Sequence, residues 1–422
     1  MRDRSRSESW VRALVAKSRN WRSEVKAVGW LFGADTGARV VGQVAIIVTA
    51  RVLGPEDYGS LAVAIAVFSI AVVFADGGVG DASVQKLSRR PAGARIFWSQ
   101  VAPLRIYLSL LFLPAGLVLA ALSSDITLRL SGIVLAAVPL AIIISNRILA
   151  ARISEEFPTA AAWASALSLS QWIGALVGAL LFAVTFSAVL GMVFLLFAAA
   201  CIAFRPISAR PPLRRQAKLW SISGLPFLMT AGTIALYTRG DRIVVGIIVG
   251  AGAAGTYSAA YSVIMVMLIA GAALHSAVLP RLLQEDKENA SPRWHIRAGL
   301  LALVAIPSAV ALWIIAPWLM TTVYGDSFAD AGRVLRVLSP LVVFYLVNPF
   351  LTSCLVGARK QQSVAIVALA NLGLAVLAYP LLTHAFGEIG TAWASVCIEV
   401  LGFGLTVLFL RRASGRGRLR VA

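Results

Sequence analysis

Five ionisable residues sit inside long apolar runs: Asp35 and Arg39 early in the chain, and Arg239, Asp241 and Arg242 past its middle. A charge in a hydrocarbon core costs at least about 2.5–3.5 kcal/mol unless it finds a partner or water. A guanidinium group is a planar fork of donors that fits phosphate oxygens two at a time, so three of them converging on one space suit capture of a phosphate-bearing anion. The plainer reading is that the five residues pair among themselves and hold two parts of the molecule together. Against it, a buried ion pair can be replaced by apolar residues at little cost, and here one positive charge is left over. Arg239 and Arg242 share a helix face at i,i+3 while Asp241 points away from Arg239, and Asp35 lies one turn from Arg39 on the same face. Asp35 and Asp241 are therefore candidates for binding a coupling ion or for pairing inside a cavity. Arg147, near the end of another apolar run, is a candidate for guiding a headgroup at the cytoplasmic mouth, although snorkelling explains it equally well.

Other chemistries find no support. The chain has no HExxH, CxxC or Ser-His-Asp spacing, and Cys201, Cys354 and Cys397 are as scattered as His275, His295 and His384. No catalytic residue, metal or cofactor is expected. Gly250, Gly252 and Gly255 spell GxGxxG, but no strand precedes them and an apolar run follows, so they read as a tight outer turn. Glu56 and Asp57 could supply the base of a membrane glycosyltransferase using lipid-phosphate sugars. Their loop, marked by Gly54 and Pro55, spans about nine residues and offers no walls for an acceptor.

The elements that position these residues follow from composition. Apolar residues make up 59% of the 422 and charged ones 14%, against roughly 45–50% and 25% in soluble domains. A soluble protein is excluded. Runs of about 20 apolar residues span a bilayer core, and they fall at 27–50, 60–80, 103–123, 131–152, 159–180, 183–204, 221–248, 255–280, 299–323, 336–357, 363–384 and 389–410. Twelve spans put both termini on one side. The segments on that side hold 31 of the 38 Lys and Arg residues, which makes it the cytoplasmic side. Topology thus accounts for the net charge of +19 without a nucleic acid partner, while anionic membrane lipids remain an expected one.

Residues 1–26 are basic, with Trp10, Leu14, Trp21 and Val25 at helical spacing, and predict an amphipathic helix on the headgroups. They lack a cleavage site and are expected to stay attached. The proline-rich stretch within 205–220 divides the spans into two sets of six, 27–204 and 221–412, followed by a basic tail at 413–422. A shift of 196 residues lays RVLGPEDYGSLAVA, from Arg51, on IIVGAGAAGTYSAA, from Ile247, matching Gly54 to Gly250 and Gly59 to Gly255. Six spans per half predict parallel repeats with a binding site between them near the midplane.

Three stretches carry a family resemblance: ARVVGQVAIIVTARVLGPEDYGSLAVA (Ala38 to Ala64), DGGVGDASVQ at the end of the second span, and YTRGDRIVVGIIVGAGAAGTYSAAYSV (Tyr237 to Val263) with its downstream LPRL. They resemble the polysaccharide transporter family, Wzx-type flippases of lipid-linked oligosaccharides in the multidrug/oligosaccharidyl-lipid/polysaccharide (MOP) exporter superfamily. The resemblance implies an all-α, MATE-like membrane protein of two six-helix lobes around a V-shaped cavity. It implies alternating access in a bacterial plasma membrane, with polysaccharide polymerase machinery as a partner. It implies a polyprenyl-diphosphate-linked glycan as cargo, moved from the cytoplasmic to the outer leaflet, with Arg39, Arg239 and Arg242 where such proteins carry cavity cations. A multidrug-type exporter of the same superfamily is the alternative that stays closest. Cavity sign separates it, since an exporter of cations would present an acidic or neutral cavity.

Overall fold

Lipid offers no partner to a backbone N–H or C=O, so a chain this apolar has to satisfy both within its own segments. The computed structural model does so with helix alone: no strand occurs among the described residues, which are 4–88, 90, 92–205, 214–266, 294–357 and 360–418. Side chains are described except at 4–36, 39, 214, 356, 357, 361 and 413–418. The expected amphipathic face of 1–26 lies outside the described side chains.

In chain order the helices are α1 (Arg4–Asp76), α2 (Val79–Leu87), α3 (Gly93–Leu122), α4 (Ile126–Ala136), α5 (Val138–Ile153), α6 (Phe157–Phe182) and α7 (Thr185–Ala203). After residues 206–213 come α8 (Arg214–Ile248) and α9 (251–266), and after residues 267–293 come α10 (Trp294–Tyr324), α11 (Ala331–Leu338), α12 (Leu341–Gly357) and α13 (Gln361–Arg418). Among the described residues eight helices are long and apolar enough to cross a membrane, or nine if α4 and α5, bent by 40°, form one broken span. The chain is an all-α polytopic membrane protein.

Two of the long helices turn at a glycine. Gly54 (φ 76°, ψ 174°) breaks α1 and Gly387 (φ 61°, ψ −146°) breaks α13, backbone states open to glycine and costly for other residues. The outer loop expected over about nine residues thus shrinks to one non-helical residue, because Pro55, with its fixed φ, restarts the helix at once. Helices also outrun the apolar runs: α3 begins at Gly93 and α8 at Arg214.

Small residues set the closest approaches. A Cβ on Gly174 or Gly178 of α6 would lie 2.5 or 2.0 Å from a backbone oxygen of α7, and one on Gly116 of α3 would lie 2.5 Å from the Gly132 oxygen of α4. Backbones that pack this tightly gain van der Waals contact, which is what drives helix association in lipid.

The two halves of the chain meet chiefly where α1 and α2 pack on α8 and where α1 crosses α9. At the α9 crossing the glycines matched by the 196-residue shift face one another: a Cβ on Gly59 would lie 1.7 Å from the Ala251 oxygen, and one on Gly255 would lie 1.8 Å from the Pro55 oxygen. Gly250 has positive φ (121°), as Gly54 does. Near the start of α8 a Cβ on Gly78 would lie 2.2 Å from the Gly224 oxygen. There Lys86 Nζ donates to Ser223 Oγ at 2.5 Å and Trp220 Nε1 donates to Gln100 Oε1 at 3.2 Å.

Candidate functional site

Arg239, Asp241 and Arg242 lie in the last three turns of α8. Counted back from Ile248 at about 1.5 Å per residue, Arg239 is about 14 Å along the axis, inside a hydrocarbon core of about 30 Å. Asp241 lies two positions from Arg239 and next to Arg242, yet it forms an ion pair with neither. Asp241 is 1% exposed; its Oδ2 accepts from the Tyr257 hydroxyl at 2.8 Å and its Oδ1 from the Arg242 backbone N–H at 2.8 Å. The Tyr257 hydroxyl also meets Ser395 Oγ at 3.0 Å, and the Tyr379 hydroxyl donates to the Tyr237 carbonyl at 2.9 Å. Asp241 is therefore tied into a hydroxyl network joining α8, α9 and α13.

Arg239 and Arg242 face the other way. Among the described residues neither has a carboxylate within ion-pair distance, and the buried Nε of Arg242 has no hydrogen-bond acceptor. The Arg242 guanidinium lies 4.6 Å from the Tyr261 ring centroid, an arrangement that holds a cation by the negative ring face without using its N–H donors. The Tyr261 hydroxyl meets that of Tyr345 at 2.5 Å. A buried donor left unmade costs about 1–3 kcal/mol, more when charged, and Arg242 Nε is such a donor.

Two cavities meet at this pair. The smaller, about 190 Å³, lies between the halves, and its far wall comes from α1 and α6 with Gln43, Ser168 and Trp172. The larger, about 540 Å³, lies within the C-terminal half and is lined beside the arginines by Tyr237, Tyr345, Asn348 and Glu399. Glu399 is 8% exposed and accepts from Asn348 Nδ2 at 2.9 Å. Sequence reasoning missed Glu399, although a lone carboxylate in the last apolar run was signal enough. Arg39 and Asp35 lie on α1, and their side chains are outside the described residues.

Arg147 is half-buried near the end of α5. Its Nε donates to the Ala203 carbonyl at 2.7 Å, and its guanidinium lies 5.6 and 5.9 Å from the rings of Trp98 and Trp163. It closes the C-terminus of α7, where a cation suits both the orphan carbonyls and the helix dipole. Any headgroup guided by Arg147 would share it with that carbonyl.

Arg105, which the count of cytoplasmic basic residues includes through the segment 81–105, is 1% exposed inside α3. It forms an ion pair with Asp76 at 2.6 Å and donates to Ser145 Oγ at 2.9 Å and to Asn146 Oδ1. Asp76 also accepts from the Gly80 N–H at 3.2 Å. Because α3 starts ten residues before the apolar run does, Arg105 falls well inside the helix and is buried in protein. Unlike Arg239 and Arg242, this arginine is fully employed in joining α1, α3 and α5.

Arg239 and Arg242 thus line two cavities within a helical membrane body. The family model described as "Polysaccharide biosynthesis protein" matches residues 25–285, more than half of the chain. The chain belongs to this family. Among curated proteins, this polysaccharide biosynthesis protein is 24% identical over 340 residues to the succinoglycan biosynthesis transport protein ExoT of Rhizobium meliloti (strain 1021). That match takes in 76% of the chain and 66% of the relative, so the chain spans just under two thirds of that protein's length. Among solved structures, the fold is similar to the lipid II flippase MurJ in its inward closed conformation, with TM-score 0.71, 16% identity, and 90% and 87% of the two chains covered. It is also similar to an inward-facing multidrug resistance MATE family transporter of the MOP superfamily, with TM-score 0.65, 16% identity, and 90% and 96% covered. The expected MOP-type architecture is thereby found.

Proposed function

We propose that this polysaccharide biosynthesis protein is a flippase that moves polyprenyl-diphosphate-linked oligosaccharide from the cytoplasmic to the outer leaflet by alternating access. The observation that carries the reading is the Arg239–Arg242 pair, which lines both cavities with no carboxylate partner among the described residues and leaves Arg242 Nε without an acceptor. A diphosphate offers enough oxygens to occupy both guanidinium groups. Family membership and the transport function named for the Rhizobium relative support the same cargo class. Arg39 adds a third cation from α1, and Asp35, Asp241 or Glu399 supplies the carboxylate that resets the cavity after release. The site of action is a bacterial plasma membrane with both termini cytoplasmic, next to anionic lipids and polysaccharide polymerase machinery.

The test is depletion of the protein in its host, followed by extraction of lipid-linked glycans and a sidedness assay with a membrane-impermeant sugar-modifying reagent. Complete oligosaccharide-lipid should accumulate on the cytoplasmic face and be cleared by the wild-type chain. A membrane-inserted variant carrying Arg239→Ala and Arg242→Ala should not clear it. Glycan shortened by one sugar would instead indicate a transferase. Unchanged sidedness with increased drug sensitivity would indicate a multidrug exporter.

A further inference from the structure

The smaller cavity has chemically different walls, and α9 adds Ser258, Ser262 and Met265 to them. The α8 wall is cationic, through Arg239 and Arg242; the α1 and α6 wall is neutral, and presents an indole (Trp172), an amide (Gln43) and a hydroxyl (Ser168). Gln43 Oε1 is buried and has no hydrogen-bond partner among the described residues. The indole is placed by Gly42: a Cβ there would come within 3.0 Å of Trp172 Cδ1, so a larger residue at position 42 would shift the ring. An aromatic surface beside an amide that can both donate and accept is what a sugar ring requires, since its C–H face is apolar and its hydroxyl edge both donates and accepts. A diphosphate has no use for either group.

We propose that Trp172 and Gln43 form the seat of the first sugar of the cargo, the one bonded directly to the diphosphate held by Arg239 and Arg242. This rests on the flippase reading and adds to it which wall recognises which part of the cargo. The cavity, about 190 Å³, has room for a sugar ring beside the arginines. In the cargo the phosphate and the first ring are joined by a single bridging oxygen, as the two walls are joined by one small cavity. The diphosphate contact is common to all such lipids, so discrimination between glycans falls to Trp172 and Gln43, with Ser168 beside them.

The test is binding by the purified full-length chain in detergent. The probes are a short-chain prenyl diphosphate and its glucosyl, galactosyl and N-acetylglucosaminyl esters. At least one sugar should tighten wild-type binding about tenfold over the bare diphosphate. Trp172→Ala and Gln43→Ala should each erase most of that gain while leaving the bare probe's affinity unchanged, and Trp172→Phe should keep part of it. Arg242→Ala should weaken every probe, sugar or none. If no sugar improves wild-type binding, or if Trp172→Ala weakens bare and sugar-bearing probes equally, the sugar seat is overturned and the indole is only packing. If Arg242→Ala leaves the bare diphosphate's affinity unchanged, the flippase reading fails, and the sugar seat fails with it.

Discussion

Arg242 and Arg105 show how differently two buried arginines can be used. Every face of Arg105 is satisfied by Asp76, Ser145 and Asn146, whereas Arg242 rests on the Tyr261 ring with its Nε idle. Removing Asp76 should leave a buried, unpaired guanidinium, at a cost of about 3–5 kcal/mol. Asp76→Ala is thus expected to lower the thermal unfolding midpoint in detergent sharply. The double variant Asp76→Leu with Arg105→Met should recover most of the loss. Arg242→Ala should leave that midpoint nearly unchanged and weaken prenyl diphosphate binding by about 10–100-fold, the equivalent of about 1.5–3 kcal/mol for a hydrogen bond to a charged group. Arg242→Lys should recover only part, because an ammonium lacks the planar fork. In the sequence both kinds of residue look alike: a charge near or inside an apolar run. Arg239 and Arg242 could be read because they stand well within theirs. Arg105 could not, because the start of a run marks where apolar residues begin and not where the helix does. That Asp241 turns to Tyr257 was also illegible, since their pairing depends on how α9 folds back against α8.

At the scale of elements, the two turns at Gly54 and Gly250 and the crossing at Gly59 and Gly255 carry most of the consequences. Here the sequence offered an equal spacing in two weakly similar stretches, read as a repeat, and its matched glycines Gly59 and Gly255 end up facing one another. What it missed was the closeness, since glycine records that a side chain is absent and not what fills the space. Gly59→Ala would put a Cβ 1.7 Å from the Ala251 oxygen, where about 3.0 Å is already tight, so α1 and α9 would have to part by more than about 1 Å. The variant is expected to bias the protein toward separation at that end. Increased labelling of cysteines introduced beside Gly54, or a longer distance between spin labels on α1 and α9, would show it. Gly54→Ala should act through strain alone, costing about 1–3 kcal/mol. It should lower the unfolding midpoint without raising labelling, because a Cβ at Gly54 meets nothing within 4 Å.

For the whole molecule, an apolar share of 59% against 14% charged residues defines the membrane class. The proposed cargo carries about two negative charges, and an inside-negative potential favours their outward movement by about 2.3 kcal/mol per charge per 100 mV. In proteoliposomes with an imposed potassium gradient, an inside-negative potential should speed outward transfer of a prenyl diphosphate-linked sugar, and collapsing it should remove the gain. A rate indifferent to potential would mean that the arginines travel with the anion and cancel its charge.

The contrast between the two halves bears on how such a protein is made. Asp76 and Arg105 are only 29 residues apart and satisfy each other within the first half, so this buried pair is neutralised before the second half is made. The second half carries Arg239 and Arg242 without such a partner among the described residues, and one of the cavities they line is walled on its other side by α1 and α6. The second half is therefore expected to need the first for stable insertion. Co-expressed as separate chains, the first should persist alone, and the second should be degraded unless the first is present.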